Sequence, residues 1–221
     1  MCWTSSRSRT LAAIVAQALW LAPASTAIAV TEGAQGRLTL ARSADVSAGI
    51  SDDGRLDGRG GDFTLRSPNG PLSLSDLRGK VVLVFFGYTS CPDVCPLSLA
   101  KISACLSAMK PEEAEKVRGL FITLEPQRDT VQVLEKYTGY FHPKIIGLTD
   151  RSENIDVVAK KYGVRYERKT TSGAGLGYSI SHPTDILIVD PDGTLVGTAA
   201  HDVHPDSLLR RVRELLKSFD G

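Results

Sequence analysis

Two cysteines, Cys91 and Cys95, lie four residues apart and directly follow the apolar run Val81–Phe86. Residues with this spacing share one face of an α-helix, because each residue advances about 100° around the helix axis. The sequence therefore predicts an exposed thiol pair where a strand leads into a helix. Such a pair can bind a soft metal ion, or it can alternate between a dithiol and a disulfide.

His182 is the best candidate for a third metal ligand. It lies just before Ile186–Val189, an apolar segment that we expect to be a strand returning opposite the thiol pair. Thiolates favour Cu(I), and an imidazole suits both Cu(I) and Cu(II), so Cys91, Cys95 and His182 could hold either oxidation state. Zinc suits this set less well, because structural zinc sites are closed by four protein ligands and the sequence offers three here.

The histidines and cysteines also have purely structural interpretations. In an exported protein the two neighbouring thiols could form a structural disulfide. Cys105 lies about 15 Å beyond Cys95 along the same predicted helix, so we expect it to be a buried apolar residue. The remaining histidines are predicted to be surface or capping residues at helix ends; they are His142, His201 and His204.

The N-terminal residues have the pattern of an export signal. Arg7 and Arg9 precede a segment without charged side chains, Leu11–Val30, which contains a short apolar core and the small residues Ala27-Ile-Ala29. This pattern predicts a secretory signal peptide over residues 1–29. The alternative is an uncleaved membrane anchor, because about 20 uncharged residues can just span a bilayer. Both alternatives predict export to a bacterial periplasm, with the protein either soluble or attached to the inner membrane.

The composition of the remaining chain narrows the class of protein. Residues 30–59 are rich in Gly, Ser, Ala, Asp and Arg and are predicted to be a flexible linker ahead of one domain, residues 60–221. Without Cys2, which a signal peptide would remove, three cysteines are too few for a disulfide-scaffolded fold. A net charge of +1, with no basic patch carrying interleaved aromatic residues, argues against nucleic-acid binding.

The hydrophobic pattern alternates between strands and helices. A hairpin is expected around Pro68–Pro71, and further strands at Val81–Phe86, Leu120–Leu124, Val164–Arg168, Ile186–Val189 and Leu195–Thr198. Helices are expected from Pro96, from a capping box at Asp129–Gln132 to about Phe141, from Asp150 to Tyr162, and at the C-terminus; a glycine-rich loop spans Ser172–Gly177. This order predicts an α/β sandwich in which helices flank a central mixed sheet, with the dithiol in a thioredoxin-like position.

The segment Gly87-Tyr-Thr-Ser-Cys-Pro-Asp-Val-Cys-Pro96 resembles the signature of the Sco/SenC family, the copper-handling proteins of cytochrome c oxidase assembly. Asp76–Phe86, Phe121–Thr130, Tyr162–Val164 and His182–Gly193 resemble further stretches of that family. The resemblance implies a thioredoxin-like fold with Cys91, Cys95 and His182 as copper ligands. It also implies delivery of copper to cytochrome c oxidase subunit II or another periplasmic copper protein, with a copper-donor chaperone as a further partner.

The resemblance leaves an enzymatic alternative open. Some members of the family act as thiol–disulfide reductases that keep the cysteines of a copper-site partner reduced. In this chain, Cys91 would be the attacking thiolate and Cys95 the resolving thiol. A peroxide-reducing enzyme of the same fold is disfavoured, because the Thr-Pro-x-x-Cys arrangement is missing.

The chain departs from the usual family pattern at a few positions near these motifs. Glu125 stands where the family usually has Asp, and Ser90 stands where it usually has His. His182 is followed by Pro183-Thr184, which resembles the cis-proline loop of thioredoxins. We therefore hypothesise a cis peptide bond between His182 and Pro183.

Overall fold

The computed structural model describes residues 50–51, 58–170 and 177–220. The signal peptide or anchor predicted for residues 1–29 lies outside the described residues, as do most of the predicted linker and most of the glycine-rich loop. Among the described helices, none combines the length and apolar character needed to cross a membrane.

The described residues contain ten strands. They are β1 (Ile50–Ser51), β2 (Thr64–Ser67), β3 (Gly70–Ser73), β4 (Val81–Gly87), β5 (Val117–Thr123), β6 (Ile145–Leu148), β7 (Glu167–Thr170), β8 (Tyr178–Ser181), β9 (Ile186–Val189) and β10 (Leu195–Ala199). The helices in the same part of the chain are α1 (Val94–Ser107), α2 (Pro111–Glu115), α3 (Val131–Phe141), α4 (Ser152–Lys161) and α5 (Pro205–Asp220), and a short 3-10 helix spans Leu74–Leu77.

Six strands form the central sheet, in the order β1-β10-β9-β4-β5-β6. Strand β4 pairs in parallel with β5 and antiparallel with β9, so the sheet is mixed as predicted. All seven residues of β4 are buried, which explains its continuous apolar sequence: both faces of a strand inside such a sheet are covered. Two hairpins, β2–β3 and β7–β8, form separate two-stranded sheets.

Helices cover the central sheet. Helices α1 and α5 contact each other, and both contact β4. Helix α3 packs on β6, where glycine permits a close approach: a Cβ on Gly147 would lie 2.6 Å from the Cβ of Leu134. The predicted α/β sandwich with a mixed sheet between helices is therefore confirmed.

Several helices and strands begin at residues other than those predicted, and local hydrogen bonds explain the differences. The capping residue of α3 is Thr130, whose hydroxyl accepts a hydrogen bond from the amide of Val133 at 3.3 Å, so the capping box predicted to open at Asp129 is wrong. The strand predicted from Val164 begins instead at Glu167, because the amide of Val164 bonds to the carbonyl of Ala159 and closes the end of α4. Within the predicted linker, Ile50–Ser51 pairs with β10.

The hypothesis of a cis bond before Pro183 is wrong. All peptide bonds in the described part of the chain are trans, including the bond between His182 and Pro183. A bond before proline still prefers the trans form by about 0.5–1 kcal/mol, so tertiary contacts must select the cis form, and here they do not.

Candidate metal centre

Cys95 is placed by the first turn of α1 against the end of β4. Its side chain is fully buried. Gly87, the last residue of β4, makes room for the sulfur: a Cβ at this position would lie 2.7 Å from Sγ of Cys95 and 2.9 Å from the ring of Phe121. Both distances are shorter than van der Waals contact, so the position of the thiol depends on glycine at residue 87.

Cys91 precedes the helix instead of lying on it. Helix α1 begins at Val94, and the amide of Cys91 donates to the carbonyl of Tyr88 at 3.2 Å in a tight turn. The residue before a proline is disfavoured in helical conformation, which applies to Cys91 before Pro92. The prediction that both thiols project from one exposed helical face is therefore wrong, and both side chains are buried.

A buried carboxylate anchors the turn that carries Cys91. Asp129 is fully buried and accepts hydrogen bonds from the amide of Thr89 at 3.0 Å and from its hydroxyl at 2.5 Å. The hydroxyl of Thr123, at the end of β5, donates to the same carboxylate at 2.6 Å. Asp129 thus ties the thiol turn to the neighbouring strand, a role that its sequence position before a helix did not indicate.

His182 follows β8 and brings its ring to the thiols. Nε2 lies 3.7 Å from Sγ of Cys95, and the ring meets Phe85 and Tyr88 edge-on, with centroids 6.1 Å apart in each case. Nδ1 lies 2.7 Å from the carbonyl oxygen of Pro183. A carbonyl can only accept, so Nδ1 carries the proton and Nε2 presents its lone pair towards Cys95.

The two thiols have different proton affinities. The thiol of Cys95 donates to Cys91, and the backbone amides of Asp93 and Cys95 add further hydrogen bonds, so the pKa of Cys91 is well below its usual range. The same hydrogen bond, together with burial, raises the pKa of Cys95. In the reduced pair the proton is therefore held more tightly by Cys95 than by Cys91.

The three candidate ligands converge, but their side chains are not arranged as a complete metal-binding site. Within the described ranges, no three His, Cys, Asp or Glu side chains are already arranged to hold a metal ion. The donor set itself fits a soft ion, because it offers two sulfurs and an imidazole nitrogen whose other nitrogen is already hydrogen-bonded. The same sulfurs are also positioned for thiol–disulfide exchange.

The other cysteine and histidines have the structural roles expected of them. Cys105 is fully buried within α1, and burial raises the pKa of its thiol to about 12. His142 caps the C-terminal end of α3. His201 is exposed, and Nδ1 of the exposed His204 accepts from the amide of Asp206 at 3.3 Å, at the start of α5.

The mixed sheet between helices, with a dithiol at the junction of β4 and α1, defines a thioredoxin-like α/β protein. A family model described as SCO1/SenC matches residues 52–217, and the chain belongs to this family.

Relatives with Sco names and solved Sco structures support the same family assignment. The chain is 32% identical over 161 residues to "Protein SCO2, mitochondrial" of Saccharomyces cerevisiae, covering 72% of this chain and 54% of the yeast protein. It is 36% identical over 159 residues to an "SCO2-like protein" of Rickettsia felis, covering 72% of this chain and 75% of that protein. The chain thus spans about half the length of the yeast relative that it matches.

Two solved structures are similar to this one and were determined with copper bound. ScoI of Bradyrhizobium japonicum is 35% identical with a TM-score of 0.64, covering 71% of this chain and 99% of that structure. Yeast Sco1 is 30% identical with a TM-score of 0.65, covering 73% of this chain and 90% of that structure.

Proposed function

We propose that this protein is a copper-binding metallochaperone that assists assembly of the copper centre of cytochrome c oxidase. Copper would be held by Cys91, Cys95 and His182. The observation that carries the proposal is the orientation of His182, whose Nδ1 is bonded to the carbonyl of Pro183 while Nε2 faces Cys95 at 3.7 Å. An imidazole held in this way beside two thiols is arranged as a metal ligand.

The relatives support copper as the metal. The similar structures from Bradyrhizobium japonicum and yeast were solved with copper bound, and a relative from Stutzerimonas stutzeri, 33% identical over 146 residues, is named a putative copper-binding protein. Copper prefers soft thiolate donors, which this site supplies in a pair.

Copper binding requires that both thiols be deprotonated, and the two thiols differ in how readily they lose the proton. The lowered pKa of Cys91 makes it the thiol that loses its proton more readily, so it is the sulfur that would first bind the metal. Cys95 must lose its proton, which its raised pKa opposes. The site is therefore suited to holding copper reversibly, because proton return to Cys95 favours release of the metal.

The recipient and the compartment follow from the family resemblance and the N-terminal pattern. We propose that the protein works in a bacterial periplasm, in a soluble form or attached to the inner membrane through residues 1–29. The proposed recipient is cytochrome c oxidase subunit II or another periplasmic copper protein, and a donor chaperone would supply the copper.

Copper titration tests this proposal. The reduced protein would be titrated with Cu(I) in competition with a chelator of known affinity, alongside His182→Ala and the control His204→Ala. We expect one tight equivalent, weakened at least tenfold in His182→Ala and unchanged in His204→Ala, whose side chain is exposed beside α5. Equal affinities in the wild type and His182→Ala would contradict the ligand set.

The asymmetry between the two thiols favours a second candidate function, a periplasmic thiol–disulfide oxidoreductase acting on a copper-site partner. The Cys91 thiolate would attack a partner disulfide and release one partner thiolate. Cys95, on losing its proton, would then displace the second, leaving a reduced partner and a Cys91–Cys95 disulfide. A dithiol potential below about −200 mV without tight copper binding would favour this function, because a reductant must have a lower potential than the disulfide that it reduces.

A further inference from the structure

A buried carboxylate just after β5, that of Glu125, has no hydrogen-bond donor among the described residues. Glu125 is fully buried, and neither of its carboxylate oxygens accepts a hydrogen bond within the described part of the chain. Burial raises its pKa, and nearby guanidinium groups oppose this. Burying a carboxylate that accepts no hydrogen bond costs free energy unless nearby positive charges compensate it. The groups that supply this positive charge therefore have a structural role.

Two arginines from different segments supply the compensating charge. Nε of Arg128, in the turn after β5, and Nη2 of Arg168, in β7, each lie 3.8 Å from the same oxygen, Oε1 of Glu125. Because both guanidinium groups approach one buried oxygen, Glu125 draws β7 towards the end of β5.

Arg128 also connects the turn that carries Cys91 with strand β8, which leads to His182. Its Nη2 donates to the hydroxyl of Ser90 at 3.3 Å, and Ser90 immediately precedes Cys91. Its Nη1 donates to the phenolic oxygen of Tyr178 at 3.4 Å, in β8. The guanidinium of Arg168 stacks on the same tyrosine, 4.2 Å from the ring centroid.

The hairpin β7–β8 needs such attachments. It is a separate two-stranded sheet, and all four residues of β7 are exposed. An isolated two-stranded hairpin is marginally stable in water, so its position depends on contacts with the rest of the fold. Strand β8 ends at Ser181, immediately before His182, so the attachment of the hairpin also determines where the imidazole lies.

We propose that Glu125, Arg128 and Arg168 form a clamp that holds the β7–β8 hairpin against the Cys91 turn and thereby positions His182 beside the thiols. These are positioning residues, which act through His182 and do not contact the metal. The proposal rests on the proposed copper function for its consequence, although the clamp itself belongs to the metal-free protein.

Hydrogen–deuterium exchange of the reduced, metal-free protein tests the clamp directly. In Glu125→Gln and Arg168→Gln, amides of residues 177–181 should exchange about three- to tenfold faster, as expected from losing one or two partly exposed ion pairs. The matched control is Glu113→Gln, which removes the ion pair of Glu113 with Arg213, 2.9 Å long, between α2 and α5. The control should leave exchange in the hairpin unchanged.

Measurements of copper affinity then test whether the clamp acts through His182. Arg168→Gln should weaken Cu(I) binding about three- to tenfold in the wild-type background. It should have no effect in a His182→Ala background, because the clamp acts only through the imidazole. Arg168 is more than half exposed, so this variant folds even if Glu125→Gln does not.

The outcomes separate the two proposals. Unchanged hairpin exchange in Arg168→Gln, or an equal loss of copper affinity with and without His182, overturns the clamp. Faster hairpin exchange in a protein whose copper binding is independent of His182 supports the clamp and overturns the proposed ligand set.

Discussion

Nε2 of His182 lies 3.7 Å from Sγ of Cys95, although 87 positions separate the two residues in the chain. The sheet order explains this proximity. Strand β9, which follows His182, pairs antiparallel with β4, which leads to Cys91 and Cys95. The last residues of β4 therefore lie beside the first residues of β9, and the imidazole and the thiols come together at this end of the two strands.

Gly87→Ala should disturb the thiol pair. The added Cβ would lie 2.7 Å from Sγ of Cys95, so the sulfur or the strand must shift. We expect a loss of about 1–3 kcal/mol in the free energy of unfolding, the usual cost of overpacking a core, together with weaker copper binding. Urea denaturation and Cu(I) titration measure the two effects.

The matched control for that substitution is Gly139→Ala. Gly139 is exposed within α3, and a Cβ there meets no atom within 4 Å in the described residues. Alanine in the middle of a helix should stabilise the protein by about 0.5–1 kcal/mol. Equal effects of the two substitutions would contradict the packing argument at Gly87.

Asp129→Asn should loosen the turn that carries Cys91. The amide cannot accept at both terminal atoms, so at least one donor among Thr89 and Thr123 loses its partner. Leaving a buried donor unpaired costs about 1–3 kcal/mol. We expect a matching loss in urea denaturation and faster alkylation of Cys91; unchanged alkylation would show that Asp129 does not hold the turn.

The stability of the reduced protein should depend on pH through Cys91. The pKa of this thiol is lower in the folded protein than in the unfolded chain, so the unfolded chain binds more protons between the two values. Stability should therefore rise with pH towards the ordinary thiol pKa of about 8.5 and fall as the pH drops through the folded value.

This pH dependence can be measured against Cys91→Ser. The difference in the free energy of unfolding between wild type and variant should change by up to about 1.4 kcal/mol per pH unit below pH 8, the limit for one proton. Above pH 8.5 the raised pKa of Cys95 should reverse the trend in the wild type. A difference that is flat from pH 5 to 8 would contradict a lowered pKa at Cys91.

The tautomer of His182 provides a test without metal. The contact of Nδ1 with the carbonyl of Pro183 at 2.7 Å requires the proton on Nδ1 in the neutral ring. Long-range ¹H–¹⁵N correlation spectra of the reduced, metal-free protein should show the Nδ1–H form at His182. The Nε2–H form would mean that the nitrogen facing Cys95 is not available as a ligand.

Much of the fold could be predicted from local patterns. The run Val81–Phe86 predicts a buried strand because it is apolar at every position, and β4 is buried along its length. The turn Pro191-Asp-Gly193 between two apolar segments predicts the hairpin of β9 and β10, which the antiparallel pairing confirms. Strands β6 and β8 and helix α2 were missed, because segments of four or five residues carry too little periodicity.

The candidate centre was predictable as a list of residues but not as an arrangement. The types and spacing of Cys91, Cys95 and His182 named a soft-metal or redox site, because only side-chain chemistry is needed for that inference. Their spacing suggested a shared helical face, yet Cys91 lies before the helix, in a turn closed by the hydrogen bond from its amide to the carbonyl of Tyr88.

The sequence by itself therefore determined the longer strands and helices of the α/β sandwich, the family, and the donor types of the candidate site, since these follow from local pattern and chemistry. Only the tertiary structure decided which thiol has the lower pKa, which nitrogen of His182 faces the sulfur, and that Glu125 is buried between two arginines. The physical reason is that proton affinity, tautomer and the cost of a buried charge depend on neighbours distant in the chain, which no local pattern specifies.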